Sequence, residues 1–442
     1  MGRSCAPAPS CSLSSSVVTE TVPEATFHVT AGVQAHASAT SVRAGGVIFA
    51  KLFPNAEEPL RGVFVAEQLR ATRSTVDWAV VAPVPWVPRG VARVFDKPYV
   101  EGDSRLDGVA VLHPRYPALP RRQLYATVAP LMALTARRAF ERACESVDAA
   151  FVHAHDLYPS GAAARRLCER AGLPYVLTVH GSDLYSNLGN PRWRAEIREA
   201  AQGARALICV ASRLARDCIS ELGVGPERTV VIPDTYDASR FALIERARKP
   251  GPVRLVTLGR LSPEKGQDVL LHALADARSR GGDATLDLVG DGPEREALEA
   301  LRDGLGLADI VRFAGALAPD RLPELFAAAD VFVLPSRAEG FGVALVEAMA
   351  TGLPVVATRS GGPEDIVRSG DGVLVAPDDV RALADGIATL VEHRADYDSR
   401  EIAARVSERF APEAVGARLT RLYAQVLAGD TLSGAVDSGD GS

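Results

Sequence analysis

Glu339 and Glu347 stand eight positions apart, across a Glu339-Gly-Phe-Gly342 loop and the start of a helical stretch. Glycines there let the backbone come close to a ligand, and the new helix aims free N–H groups and its positive end at the same place. A phosphate is the natural occupant. Glu347, one turn into the helix, can accept two hydrogen bonds from a vicinal diol such as ribose, and Glu339 can receive hydroxyls of another ring. Spacing alone does not separate this from a surface glutamate followed by a helix-capping one. Gly259-Arg-Leu-Ser-Pro-Glu-Lys-Gly266 adds Arg260 and Lys265 between a strand and a helix. An arginine fork and a lysine point charge suit a diphosphate, where solvated loop charges are the plainer alternative. Lysine is scarce here, only Lys51, Lys97, Lys249 and Lys265 among 49 positive residues, which favours a role for Lys265. Gly290-Asp-Gly292 lacks the third glycine of a dinucleotide fingerprint, so no NAD site is read from it.

These residues need strand ends and helix starts to hold them. Short runs rich in Val, Ile and Leu alternate with helical periods. The expected strands are Val47–Leu52, Trp78–Val84, Val109–His113, Ala150–His155, Tyr175–His180 and Leu207–Ala211. A second series comprises Arg254–Gly259, Leu286–Gly290, Val311–Ala314, Val331–Pro335, Val355–Ala357 and Val373–Ala376. Continuous apolar strands suit parallel sheets covered on both faces, and strict alternation with helices predicts doubly wound α/β architecture. The alternation breaks at Pro233–Phe241 and the charged Glu245–Gly251. The expected organisation is a tail (1–45), a first Rossmann-like domain (46–236), a linker (237–251), a second domain (252–411), a crossover helix (412–427) and a second tail (428–442). Two facing domains of this kind bind ligands in the cleft beyond their strand ends. Gly45-Gly46 is expected to precede the first strand.

The chain of 442 residues carries a formal charge of −6, and 47% of it is hydrophobic. That supplies large cores and speaks against sequence-independent nucleic-acid binding, which needs a basic surface. The abundance of arginine reflects coding bias. Cys5, Cys11, Cys144, Cys168, Cys209 and Cys218 form no CxxC pair, a reduced, cytosolic usage. No apolar run reaches the roughly 18 residues of a membrane span, and the N-terminus lacks the apolar core of a secretory signal. A cytoplasmic protein is expected.

In order and spacing, Arg254–Gly266, Leu288–Pro293, Val311–Gly315, Val331–Val356 and Ser360–Ile366 resemble the donor domain of group 1 (family 4) retaining glycosyltransferases of GT-B fold. The Glu-x7-Glu pattern is met by Glu339 and Glu347. The resemblance implies a nucleoside-diphosphate sugar, commonly uridine-linked, and metal-independent transfer with retention and no further cofactor. It places the diphosphate at Arg260 and Lys265 and the ribose at Glu347. The sugar and phosphate oxygens fall to Glu339 and the backbone of Gly340, Phe341, Gly342, Val343, Ala344 and Leu345. Phe53–Leu69 resembles the first loop and helix of exopolysaccharide and teichuronic-acid type members, with Gly62 as the close-approach glycine. His180-Gly-Ser-Asp183 resembles an element whose histidine lies near the transferring sugar, although a strand-end histidine can equally be a structural cap. His153-Ala-His-Asp156 puts two histidines on one strand face, as a metal pair requires. Family members carry such runs without a metal, so a structural or acceptor-lining role is expected. Ile232-Pro-Asp-Thr-Tyr-Asp237 departs from the usual Pro-Asn-Gly-Val-Asp at the domain junction.

The expected activity is hexosyl transfer from a nucleotide sugar to a glycan, lipid-linked or small-molecule acceptor. A sugar-nucleotide epimerase and an inactive nucleotide-sugar-binding subunit are the alternatives, and a phosphorylase lacks a suitable lysine. Arg115, Arg121, Arg122, Arg137, Arg138 and Arg142 surround Leu124–Leu134. A basic amphipathic helix of this kind can rest on the cytoplasmic face of a membrane, but an ordinary solvated face is the preferred reading.

Overall fold

Valine- and isoleucine-rich runs become strands because both faces of each can be buried. In the computed structural model, which describes residues 43–86, 100, 102–117, 127–185, 190–246 and 251–432, strands β1 (Ala44–Phe49), β2 (Val76–Val81), β3 (Val84–Trp86), β4 (Ser104–Leu106), β5 (Val109–Leu112), β6 (Arg115–Pro117), β7 (Ala149–His155), β8 (Tyr175–Val179), β9 (Ala206–Cys209) and β10 (Thr229–Val231) come first. Then follow β11 (Val253–Leu258), β12 (Ala284–Val289), β13 (Val311–Gly315), β14 (Val331–Leu334), β15 (Val355–Thr358) and β16 (Gly372–Val375). The first sheet has the order β10-β9-β8-β7-β1-β2-β5-β4, the second β13-β12-β11-β14-β15-β16, and β3 pairs with β6 apart from both. Every pairing is parallel except that of β4 with β5. Parallel neighbours need crossovers, and the helices between strands supply them. One, Pro191–Gly203, opens with Asn190 accepting from the Arg192 amide at 3.0 Å and proline at its first position.

Alternation along β1 shows the packing. Val47 and Phe49 face the helix Val128–Val147, while Ile48 faces the helices Val63–Thr72 and Pro412–Ala428. Val415, Leu419, Leu422 and Val426 of the last helix thus bury against the first sheet. In the second sheet, Leu255 and Val333 pack beneath the helices Gln267–Ser279 and Val380–Glu392. The stretch between the sheets is tightly held where it is described. Phe241 is 1% exposed and stacks near Phe326 at 5.8 Å, and the Thr235 hydroxyl donates to the Phe410 carbonyl at 2.8 Å.

Two expectations change. Gly45 and Gly46 lie inside β1 rather than before it: a Cβ on Gly45 would sit 1.8 Å from the Val147 carbonyl oxygen, and one on Gly46 2.5 Å from the Trp78 ring. The first strand therefore starts within what read as a tail. The antiparallel edge strand β4 went unread, because Ser104-Arg-Leu106 is too short and polar to stand out. Residues 1–42, 247–250 and 433–442 lie outside the described residues, as do Arg121, Arg122 and residues 124–126 of the basic segment.

Candidate active site

The carboxyl ends of parallel strands collect exposed backbone dipoles and loops, which is where ligands of such sheets bind. A cleft of about 690 Å³ opens there. Leu52, Asp156, His180 and Asp234 enter it from the loops after β1, β7, β8 and β10, and Arg260, Lys265 and Glu339–Ala344 from those after β11 and β14. Both sheets therefore contribute a wall. The walls touch backbone to backbone: a Cβ on Gly340 would lie 2.1 Å from the His180 carbonyl oxygen. Only glycine fits there.

On the second-sheet wall, the loop after β14 is stitched to the loop after β15 by Glu339 N–H donating to the Ser360 carbonyl at 3.0 Å and Gly362 N–H to the Glu339 carbonyl at 3.0 Å. The Glu339 carboxylate accepts from Lys265 Nζ at 2.6 Å and from the Ser336 hydroxyl at 3.1 Å, all through Oε2. Lys265 and Glu339 are thus brought together as an ion pair, with Lys265 25% exposed. Arg260 is exposed on the same wall, its guanidinium without a hydrogen-bond partner among the described residues. Gly342, at φ 107, starts the helix Val343–Ala350. Leu345 and Val346 N–H groups return to the Gly342 carbonyl, which leaves those of Val343 and Ala344 without a main-chain acceptor among the described residues. Leu345 itself is fully buried and its side chain belongs to the core. Phe341 is buried edge-on against Phe410 at 5.6 Å.

Glu347 opens on a neighbouring cleft of about 860 Å³, shared with Glu67, Arg70, Asp237 and Arg240. The two glutamates do not form one carboxylate pair. Burial pushes the Glu347 carboxyl up to about 8, against the pull of Arg240 and with help from Asp237 and Glu67. Burial likewise raises Glu67, although Arg70 Nη1 binds it at 2.6 Å. Glu67 was not read from the sequence, since a glutamate on an amphipathic helix normally faces water. Gly62 caps the helix Val63–Thr72 at φ 63, with a would-be Cβ 2.3 Å from the Leu52 carbonyl oxygen. It lines neither cleft, whereas its neighbours Val63 and Phe64 do.

The first-sheet wall is a buried polar network. His180 stacks on His155 with ring centroids 5.5 Å apart and lies 4.3 Å from Phe64. Its Nε2 is 3.2 Å from His155 Nδ1, and its Nδ1 is 3.5 Å from Asp234 Oδ2. Both ring nitrogens are therefore turned toward protein. Burial pulls the imidazole down, but Asp234, then Asp156 and Asp183, outweigh it and the net shift is upward. Gln68 Nε2 donates to the other Asp234 oxygen at 2.9 Å. Asp234 comes from the junction stretch that departs from the family pattern, so that departure places a carboxylate beside His180. Asp183, the last residue of the His180-Gly-Ser-Asp183 element, clamps the turn by accepting from the Leu157, Gly181 and His180 amides at 2.8, 2.9 and 3.2 Å.

His153 has both nitrogens occupied by hydroxyls, Thr178 Oγ1 at 2.7 Å and Tyr423 Oη at 2.8 Å. Burial, then nearby His180, lowers it to about 3, and burial and its neighbours hold His155 well below its ordinary value. Both are neutral at physiological pH. Among the described residues no group of three or more histidine, cysteine or acidic side chains is arranged to hold a metal. Away from the clefts, Arg137 pairs with Glu141 at 2.8 Å and Arg142 with Asp103 at 3.2 Å. No helix among the described residues is long and apolar enough to cross a membrane.

Two family models match end to end: Glycosyltransferase Family 4 over residues 86–240 and Glycosyl transferases group 1 over residues 241–408. Among curated relatives, the GDP-mannose-dependent alpha-(1-6)-phosphatidylinositol monomannoside mannosyltransferase of Mycobacterium tuberculosis is 38% identical over 242 residues, 51% of this chain. The match spans 62% of that relative's length, under two thirds of it. TuaC of Bacillus subtilis strain 168, named as a teichuronic acid biosynthesis glycosyltransferase, is 29% identical over 77% of this chain and 87% of its own. Among solved structures, sucrose-phosphate synthase from Thermosynechococcus elongatus aligns with a TM-score of 0.72 at 21% identity, covering 88% of this chain and 100% of its own. Anabaena HepE, solved with UDP and glucose, aligns at 0.66 and 20% identity over 86% and 99%. At such identities the two structures speak to the fold alone.

Proposed function

Because the chain belongs to the group 1 glycosyltransferases, with their GT-B fold, we propose that it transfers a hexosyl group from a nucleoside-diphosphate sugar to an acceptor hydroxyl with retention of configuration. The carrying observation is the two-walled cleft in which Arg260, the Lys265–Glu339 pair and the Val343 and Ala344 amides converge. As the bond from the anomeric carbon to the diphosphate oxygen breaks, negative charge gathers on the leaving diphosphate. Arg260, Lys265 and the two amides meet that charge. The acceptor oxygen bonds the anomeric carbon from the same face, and its proton passes to a diphosphate oxygen. No protein nucleophile is required, so Glu339 orients the sugar hydroxyls while Lys265 turns from it to the phosphate.

Glu347 takes the ribose diol in the adjoining cleft. Burial keeps this acid protonated at neutral pH, so it can donate one hydrogen bond and accept another. His180, whose proton affinity the surrounding carboxylates raise, lines the opposite wall. Closure of the walls limits donor hydrolysis. Two matched proteins carry different nucleotides in their names, GDP-mannose for the mycobacterial enzyme and UDP for HepE. The test is therefore a hydrolysis and thermal-shift screen over UDP- and GDP-sugars, followed by NMR of the product anomer. Turnover of one donor series with an unchanged anomeric configuration supports the proposal. Inertness toward every nucleotide sugar overturns it.

A further inference from the structure

We infer that Asp156 is the anchor for an uncharged polyol acceptor on the first-sheet wall of the cleft, a reading that rests on the glycosyl-transfer proposal. Asp156 follows β7 directly, lines the cleft and is only 3% exposed. A carboxylate this buried normally collects hydrogen bonds from its own chain, as Asp183 does nearby. Asp156 collects none among the described residues, and its Oδ2 is fully buried without a partner. Lys51 is the adjacent cation, with Nζ 4.0 Å away, beyond hydrogen-bond reach. That ammonium leans instead toward the Tyr158 carbonyl at 3.5 Å.

The backbone fixes the carboxylate in this unpartnered state. Asp156 has φ 70 and ψ 135, held by its N–H on the Thr178 carbonyl at 3.0 Å and by the Gly161 N–H on its own carbonyl at 2.8 Å. Non-glycine residues seldom adopt a positive φ, and Asp and Asn tolerate it best. The chain thus presents at the cleft a group that can only accept, and an occupant must supply the donor. A hydroxyl does so, giving its proton to the carboxylate and offering a lone pair to Lys51. A phosphate monoester, mostly dianionic at neutral pH, meets the carboxylate with like charge instead. It would face the carboxylates of Asp156 and Asp234 together, so an acceptor presents hydroxyls rather than an anion at this point. Because the acceptor must approach the anomeric carbon from the diphosphate side, a hydroxyl held here orients the ring whose neighbouring hydroxyl attacks.

The experiment compares the full chain with Asp156→Gly, which suits the positive φ and removes the carboxylate, and Asp156→Asn, which keeps the shape and removes the charge. Saturation-transfer NMR, with UDP or GDP present, measures binding of D-glucose, D-mannose and myo-inositol and of their monophosphates, and calorimetry measures the nucleotide. The expected result is that the native chain binds a neutral polyol, that Asp156→Gly weakens it on the order of 10- to 100-fold, and that Asp156→Asn falls between. Nucleotide affinity holds in both variants, and with a turned-over donor the acceptor KM rises while the donor KM does not. Equal polyol affinity in native chain and Asp156→Gly overturns the inference. So does absence of polyol binding to the native chain, preference for the monophosphates, or loss of nucleotide and polyol binding together. If no nucleotide sugar is turned over, the transfer proposal falls, and the polyol titration still decides this one.

Discussion

The two walls of the cleft solve opposite problems. The second-sheet wall offers charge that is accessible and exchangeable: Arg260 is exposed, and Lys265 is 25% exposed in a pair with Glu339. The first-sheet wall sets its polar groups deep, with His153 and His155 at 1%, Asp156 at 3% and Asp183 and Asp234 at 4% exposure. In the proposed transfer a diphosphate arrives with its own charge, so cations that trade one anion for another would hold it without standing unpaired. The neutral acceptor inferred above would bring little electrostatic energy, and a wall for it is built in advance by hydrogen bonds fixed in the fold. Mutations should therefore act on chemistry at one wall and on architecture at the other.

The largest expected effect tests the exchangeable side. Lys265→Ala and Glu339→Ala should each cut transfer by about a thousandfold or more, while circular dichroism and melting temperature stay close to native. Lys265→Ala removes charge that the leaving diphosphate needs, and Glu339→Ala frees the lysine but leaves the sugar unoriented. Full activity in both variants would break the comparison. Next comes the built wall. Asp183→Ala strands three amides that now share one carboxylate, so denaturant unfolding should show a loss of about 3 kcal/mol. An unchanged midpoint would mean that water replaces the clamp and that the wall is not preassembled.

The difference between the walls also decides what the sequence makes legible. Arg260, Lys265, Glu339 and the glycines of the second-sheet loops lie within contiguous motifs, because local turns and a helix start bring them together on one wall. Their strands and the doubly wound topology follow from the same stretches, through continuous apolar runs. The acceptor side is assembled from distant places: Asp183 meets Leu157, Asp234 meets Gln68 and His180, and His153 meets Tyr423. No spacing rule links residues 270 positions apart. Glu67 and the short edge strand β4 stayed unread for a related reason, since each is defined by what packs on it.

Glu347 sharpens the contrast, being a half-buried residue of the neighbouring cleft whose carboxyl is still shifted by its surroundings. Its carboxyl lies at about 8 in the folded chain against an ordinary 4.5. Below pH 4.5 both folded and unfolded chains hold the proton. Across the window to about 8 the unfolded chain releases it while the folded chain keeps it, so this group's contribution to stability falls as pH rises. Glu347→Gln should abolish that slope in melting curves taken from pH 5 to 9. It should also bind the nucleotide within about threefold of native at pH 6.5, because the amide copies the protonated acid's one donor and one acceptor. Glu347→Ala should lose tenfold or more. Equal losses in both variants would show that the ribose needs a carboxylate anion.

The smallest effect separates two histidines of one network. Tyr423→Phe removes the hydroxyl at 2.8 Å from His153 Nδ1 and leaves the ring packed between Trp78 and Phe151 at 5.8 and 4.7 Å. Both partners are buried, so the cost is one unmatched ring nitrogen, about 1 kcal/mol in unfolding free energy. His153 keeps its second bond to Thr178, at 2.7 Å. If His153 is a brace and His180 alone faces the cleft, turnover and its pH dependence stay native in Tyr423→Phe while the melting temperature drops by a degree or two. A shifted pH profile would instead mean that the ring stack passes the change from His153 through His155 to His180, and that the acceptor wall responds to the helix crossing behind it as one unit.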